Sequence, residues 1–475
     1  MRSSPVAAIG LGLVVAACTL TRTSYDECTS NADCRTTFGA ARVCGGDGLC
    51  GAPPPAPRCT TTFPADVLTR PESYPGANLV GVLMDRSLEA HRARENAVRL
   101  AITQVNEAKG LDGKLFGAVF CDIAENTQYD SLKRTDAAVA SGTYLADVLG
   151  VKAIVGPSSS DDAPKVFDAI KPLDVLLVSP AATSTSLTGY DTKTPTDDAP
   201  GLLWRTAVPD TLQGEAIARH LKTLPDGTIV IVKRKSTYGD ALTTVLTQSL
   251  KEKQIKVFDF ETTGERDQSV KEAGDSGAKY VVFVSSQTTD AIAFVNAVPT
   301  IPSYATTNLF LTDSAANIDL LNGTTMASAV YARITGSRPS AAGSTYELFR
   351  TSFTAAFRQE PSLLSYVQHT YDAAWLVFYG MGAAQHRDGK ITGVGIARAL
   401  RKVSDKGKPE TPIAPKSWPS AADALGKGES INVTGASGPL DYDPATEEAT
   451  GVYDIWNIKS DGKSFGIVST IDPTK

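Results

Sequence analysis

The residues best placed to do chemistry lie in the segment 151–187, VKAIVGPSSSDDAPKVFDAIKPLDVLLVSPAATSTSL. Val151, Ala153, Ile154 and Val155 form an apolar run that ends at Gly156-Pro157 and is followed by Ser158, Ser159 and Ser160. A second apolar run, 173–178, is followed by Ser179-Pro180-Ala181-Ala182-Thr183. Hydroxyls beside the free N–H groups of a helix start suit a small anion such as a carboxylate. Taken singly, Ser160 or Asp161 reads as a helix cap and Thr183 as a turn residue. Two such turns after consecutive strands point instead to a binding site. The chemistry is recognition rather than bond breaking. The chain has 4 histidines, none in metal-ligand spacing, and lacks HExxH, GxSxG and GxxxxGK[ST]. No catalytic residue, no metal and no cofactor is expected, and the chain is not read as an enzyme.

Strands and helices alternate around these turns. An apolar strand at 79–84 precedes Val98, Ala101, Ile102 and Val105, one face of a helix. A strand at 115–121 and a helix at 137–149 stopped by Gly150 follow. After a polar loop at 189–200 a second series begins, with helices at 212–221, 238–253 and 290–298 and strands at 228–232, from 257, at 280–284 and at 309–311. Helices then dominate at 346–357, 366–384 and 394–403, and a hairpin closes the chain at 452–469. The Pro- and Lys-rich stretch 405–420 is expected as an exposed loop. Two successive α/β series imply parallel sheets in two lobes, with ligand at the carboxyl ends of the strands.

The 475 residues are 42% hydrophobic and 21% charged, with a net charge of −6, which suits a globular body and argues against a nucleic-acid partner. Arg2 and the apolar run 6–17 read as an export signal too short to span a membrane. Val15-Ala16-Ala17-Cys18 reads as a lipoprotein cleavage site, with 1–17 removed and Cys18 lipidated. Six cysteines remain, an even number in an exported chain, so disulfides are expected. Cys28, Cys34, Cys44 and Cys50 staple a small module at 18–51, with the pairing left open. The absence of CxxC and an oxidising compartment disfavour a zinc site there. The Pro-rich linker 52–58 is expected to be a stiff spacer holding the body away from the membrane. Cys59 and Cys121 are left to pair with each other.

IVGPSSS at 154–160, VSPAAT at 178–183, WRTA at 204–207, YG at 238–239, FLTD at 310–313, YDAA at 371–374 and GASGPL at 435–440 fall in an order that covers residues 79–475. In this the chain resembles the type I periplasmic solute-binding proteins of the Leu/Ile/Val-binding group, which feed bacterial ABC importers. The resemblance implies an α/β, two-lobed type I periplasmic-binding-protein fold: two doubly wound parallel sheets joined by three crossovers, here preceded by the disulfide-rich module. The crossovers are expected near Thr206, Tyr331 and Gly435, giving one lobe of 59–205 plus 331–434 and another of 206–330 plus 435–475.

Carried over residue by residue, the resemblance implies that Ser160 and Thr183 hold a ligand carboxylate and that the Ala181 carbonyl accepts from its ammonium. Tyr238 would form an aromatic wall and Asp313 would pair with the ammonium. Asp313 could instead cap a helix at 314–321, Tyr238 could be a packing residue, and His369 and Tyr371 read as core.

The sequence departs from the family pattern in two places. Asp85-Arg86-Ser87-Leu88-Glu89 replaces a Gly-Pro-rich turn, and Ser286 or Gln287 stands where an aromatic is usual, which leaves the ligand's side chain open. The implied partners are an amino-acid-like ligand, an ABC permease and the membrane surface outside the cytoplasm, with no nucleic acid. The alternatives are an outer-membrane lipoprotein acting through protein contacts, like activators of penicillin-binding proteins, and a ligand-sensor subunit.

Overall fold

The computed structural model describes residues 26–125 and 127–475, so the expected signal segment 1–17 and Cys18 lie outside the described residues. Two open sheets covered by helices form the body. Across the first sheet the strands run Thr61–Phe63, Phe116–Asp122, Asn78–Met84, Ala153–Val155, Leu176–Ser179 and Leu203–Arg205. All pairs are parallel except the first, in which Thr61–Phe63 runs against Phe116–Asp122. Every residue of Phe116–Asp122 is buried, and only Asn78 of Asn78–Met84 is not. Such unbroken apolar runs mark strands covered on both faces, as in a parallel sheet between helical layers.

The second sheet runs Ile255–Phe260, Ile229–Arg234, Tyr280–Val284, Asn308–Leu311, Ile334–Pro339, Tyr453–Ile458 and Phe465–Ile471. Its first five strands are parallel and the closing hairpin is antiparallel. The expected crossovers near Tyr331 and Gly435 therefore lie elsewhere. Ile334–Pro339 belongs to the second sheet, paired on one edge with Asn308–Leu311 and on the other with Tyr453–Ile458. The polar ITGSRP sequence hides this strand, because its ladder to the C-terminal hairpin is non-local. At the other boundary, Leu440, Tyr442 and Ala449 still pack in the core of the first lobe, so the chain returns to the second sheet only at Tyr453.

The first lobe is built around the helix Val367–Asp388, of which Val367 to Ala384 are all buried. Trp418 packs on Tyr379, with ring centroids 5.8 Å apart, and its indole N–H donates to Gly110 O at 2.8 Å. The stretch 405–420 is thus an exposed loop only in its first part, 405–409. Glu410–Pro412 pairs in parallel with Asn432–Gly435, Ile413 is buried, and Trp418 opens the helix Trp418–Gly426. Its lysines and prolines line the outside of a segment whose two large apolar residues point inward.

Disulfides join Cys28 to Cys44, Cys34 to Cys50 and Cys59 to Cys121. The sulfurs of Cys28, Cys34 and Cys50 lie close enough to suggest a metal site, but each is already in a disulfide. On the far side of the Pro-rich linker, this module docks on the body. Arg35 Nη1 donates to Val148 O at 3.1 Å, Tyr144 donates to Pro54 O at 3.2 Å, and Ala41 joins the core of the first lobe. Proline carbonyls remain acceptors, so the run lies along the surface as a docked strap.

Asp372 anchors the turn on the way to the last crossover. Its carboxylate accepts from Ala436 N at 2.8 Å, Ser437 N at 2.7 Å and Ser437 Oγ at 2.5 Å, and burial pushes the carboxyl up to about 7. A Cβ at Gly435 would lie 2.3 Å from its Oδ2, so glycine is required there by space. Asp372→Ala strands two backbone N–H groups in the interior and is expected to cost about 2–4 kcal/mol. The check is the denaturation midpoint of the variant against the parent.

Candidate functional site

A cavity of about 340 Å³ opens between the carboxyl ends of the two sheets. Gly156, at φ +94°, makes its first wall possible. A Cβ there would lie 2.4 Å from Leu83 O, so only glycine lets the Ser158–Ser160 turn pass under the strand Asn78–Met84. The two hydroxyl turns hold one another in place. Ser184 N donates to Ser160 Oγ at 3.2 Å, and Ser179 Oγ donates to Pro157 O at 2.6 Å while accepting from Ala182 N at 3.1 Å. Asp161 makes no cap bond to its own helix, Asp162–Ile170. Its Oδ1 accepts from Thr237 N, in the second lobe, at 2.8 Å. Ser184 Oγ donates to Thr237 O at 3.2 Å, a second bond across the cleft.

The second lobe contributes Tyr238, in the first turn of the helix Thr237–Ser249, and Asp313, just beyond the strand Asn308–Leu311. Asp313 does not cap the following helix, since Asn317 does so for Ile318–Gly323. Its Oδ1 accepts from Tyr238 Oη at 2.5 Å and from Gln213 Nε2 at 2.9 Å, and its Oδ2 accepts from Tyr366 Oη at 2.5 Å. Burial, and then the charge of Asp313, push both phenols well above their ordinary value, so the tyrosines donate and the carboxylate accepts. A carboxylate offers about four lone-pair sites, so three donors leave one direction open. Beside it, Asp210 is fully buried, and burial followed by the charge of Asp313 pushes its carboxyl well above the usual range. That is the direction expected where two carboxyls share a dry site.

Ser160, Ala181, Thr183, Tyr238 and Asp313 all line this one cavity, and so do the two departures, through Asp85, Ser87 and Leu88 on one side and Ser286 and Gln287 on the other. His369 and Tyr371 are buried on the helix Val367–Asp388, and Tyr371 donates to Gln104 Oε1 at 2.5 Å. Sequence reasoning missed Tyr366, Gln213, Asp210 and Arg94. Tyr366 was read as the first residue of a helix. It stands outside that helix, at φ +61°, and reaches across the cleft to Asp313. Arg94 carried a readable signal, because it interrupts the otherwise apolar line Ala90, Val98, Ala101 on the buried face of Glu89–Glu107.

Residues 93–461 match the family described as the receptor family ligand binding region. The chain belongs to that family. Among curated relatives, the Leu/Ile/Val/Thr-binding protein of Salmonella typhimurium is 28% identical over 170 residues, which is 35% of this chain and 42% of that protein. The Leu/Ile/Val-binding protein of Escherichia coli K12 is 28% identical over 172 residues, with 35% and 42% covered. The matched stretch is thus less than half the length of these curated relatives.

Among solved structures, the branched-chain amino acid transporter substrate-binding protein LivJ of Streptococcus pneumoniae, in complex with isoleucine, superposes with a TM-score of 0.63 at 17% identity. It covers 83% of this chain and 98% of its own. The leucine-binding protein LivK of Thermotoga maritima gives 0.65 at 16% identity, over 83% and 99%. An ABC-transporter solute-binding protein of R. palustris, in complex with 4-hydroxybenzoate, gives 0.63 at 15%, over 83% and 97%. The fold is that of the type I periplasmic binding proteins, with the small disulfide-rich module added at its N-terminal side.

Proposed function

We propose that the protein is an extracytoplasmic, lipid-anchored solute-binding protein that captures an amino acid or similar small carboxylate between its lobes and presents it to an ABC importer. One observation carries this reading. Five residues drawn from separate turns of both lobes converge on a single cavity, and their chemistry matches a zwitterion. Ser160 and Thr183 offer neutral donors to a carboxylate. The Ala181 carbonyl and Asp313 accept from an ammonium, and Tyr238 packs against the carbon frame. The named ligands of the relatives, aliphatic amino acids and a hydroxylated benzoate, share the carboxylate. Anchoring through Cys18 rests on the lipobox alone.

The test is a thermal-shift screen of the full chain against amino acids and aromatic acids. Ligand at about one hundred times its dissociation constant stabilises by about 2.7 kcal/mol, enough to move the midpoint by several degrees. Thr183→Ala is expected to erase that shift, read against the variant's own unliganded midpoint, which falls as well because Thr183 is buried and its hydroxyl hydrogen-bonds to the buried carboxyl of Asp210. A well-folded protein that responds to no ligand on the panel would sink the reading.

A further inference from the structure

We propose that the captured solute carries a second anionic group, as in a dicarboxylic amino acid, and that Arg94 is the residue selecting it. The proposal rests on the capture reading above and concerns the part of the cavity wall formed by Arg94, Ser365 and Tyr366.

Arg94 lines the cavity and is only 4% exposed. Its Nε and Nη2 donate to Ser365 O and Oγ, both at 3.0 Å, and its guanidinium lies 5.5 Å from the centre of the Tyr366 ring. Among the described residues no carboxylate pairs with it within 4.0 Å, and the carboxylate that acts on it from farther away is that of Asp313. Asp313 is already committed to three donors. Burial pulls the guanidinium down only to about 10, so it is cationic at neutral pH. A buried cation without a counter-ion is costly, and an anion delivered by the ligand removes that cost. A guanidinium whose Nη1 remains uncommitted presents parallel N–H donors, the geometry that suits a carboxylate.

Besides Arg94 and Asp313, the charged groups of the lining are Arg134, Glu125, Asp85 and Asp319, the last with its carboxyl pushed up by burial and then by the charge of Glu89. The other cavity arginine, Arg134, is spent on Asp162 at 2.8 Å. Glu125 is paired with Lys133 at 3.0 Å, and Asp85 accepts from the N–H and hydroxyl of Ser87 at 3.1 and 2.5 Å. The lining also carries the hydroxyl and amide groups of Ser87, Ser286, Gln287 and Asn317, with Leu88 its single large aliphatic side chain beside the rings of Tyr238 and Tyr366.

The experiment is calorimetric titration of the folded full chain with glutamate, aspartate, glutamine, leucine, benzoate and lysine, repeated with Arg94→Gln and Arg94→Lys. The expected result is that glutamate or aspartate binds at least about tenfold more tightly than glutamine or leucine. In Arg94→Gln this preference collapses towards unity while weak amino-acid binding persists, and in Arg94→Lys part of it survives. If Arg94→Gln does not fold, an unchanged preference in folded Arg94→Lys overturns the proposal. Tighter binding of leucine, benzoate or lysine than of both dicarboxylic amino acids also overturns it and leaves the capture reading standing. No binding of any probe to folded protein overturns both.

Discussion

Asp313→Asn is expected to weaken binding of an amino-acid solute by roughly 10- to 100-fold without unfolding the protein. Hydrogen bonds to charged groups contribute about 1.5–3 kcal/mol, and the substitution removes the negative member of the pair while keeping its shape and one acceptor oxygen. Tyr238, Tyr366 and Gln213 donate to the carboxylate, so the amide can keep two of these bonds through its carbonyl oxygen. The diagnostic comparison is with the same solute lacking its amino group. The penalty should vanish for that ligand, and the difference between the two penalties isolates the ammonium contact. Equal losses for both ligands would mean that Asp313 shapes the cavity without meeting the ammonium.

The largest expected loss of stability follows from removing the Cys59–Cys121 disulfide. These cysteines are 62 residues apart and both are buried, with Cys121 in the strand Phe116–Asp122 of the first sheet. By the loop-entropy relation, opening a link of that span costs about 4 kcal/mol, a large share of the ~5–15 kcal/mol that holds a typical domain together. The paired change Cys59→Ser with Cys121→Ser should lower the denaturant midpoint by an amount that dominates any single cavity-wall substitution. Because Thr61–Phe63 is an edge strand whose one neighbour in the sheet is Phe116–Asp122, hydrogen exchange in it should rise first. A midpoint within about 1 kcal/mol of the parent would show that the link is redundant with the packing around it.

The sequence exposed the parts of the site that local pattern controls. Hydroxyl turns after apolar strands announce themselves, so Ser160 and Thr183 were legible, whereas Ala181 was reached only through resemblance; the arrival of all three on one cavity follows from parallel strands ending on the same side. Tyr238 and Asp313 were reached through resemblance, since a single tyrosine or aspartate at a turn carries no pattern of its own. What stayed hidden was non-local. Ile334–Pro339 looks like a loop until its partners Asn308–Leu311 and Tyr453–Ile458, the latter more than a hundred residues away, complete its ladder. Trp418 looks like part of a lysine- and proline-rich surface until the aromatic cluster of Trp375 and Tyr379 receives it. Tyr366 reads as helix because its left-handed backbone leaves no mark in the surrounding residue types.

The Tyr366–Asp313 bond joins the two lobes through protein groups alone, as do the bonds from Thr237 N to Asp161 and from Ser184 Oγ to Thr237 O. The two bonds to carboxylates typically contribute about 1.5–3 kcal/mol each and the neutral one about 0.5–1.5 kcal/mol, so together they bias the molecule toward the closed arrangement whether or not a solute is bound. A solute can shift that equilibrium only by its differential affinity for the two states. Any partner that reads lobe closure therefore receives a signal with a floor. Substitutions that trim the interlobe bonds, such as Tyr366→Phe, lower the background and raise the contrast between empty and loaded protein. They do so at the expense of apparent affinity, so sensitivity and contrast are set against each other by the same few hydroxyls.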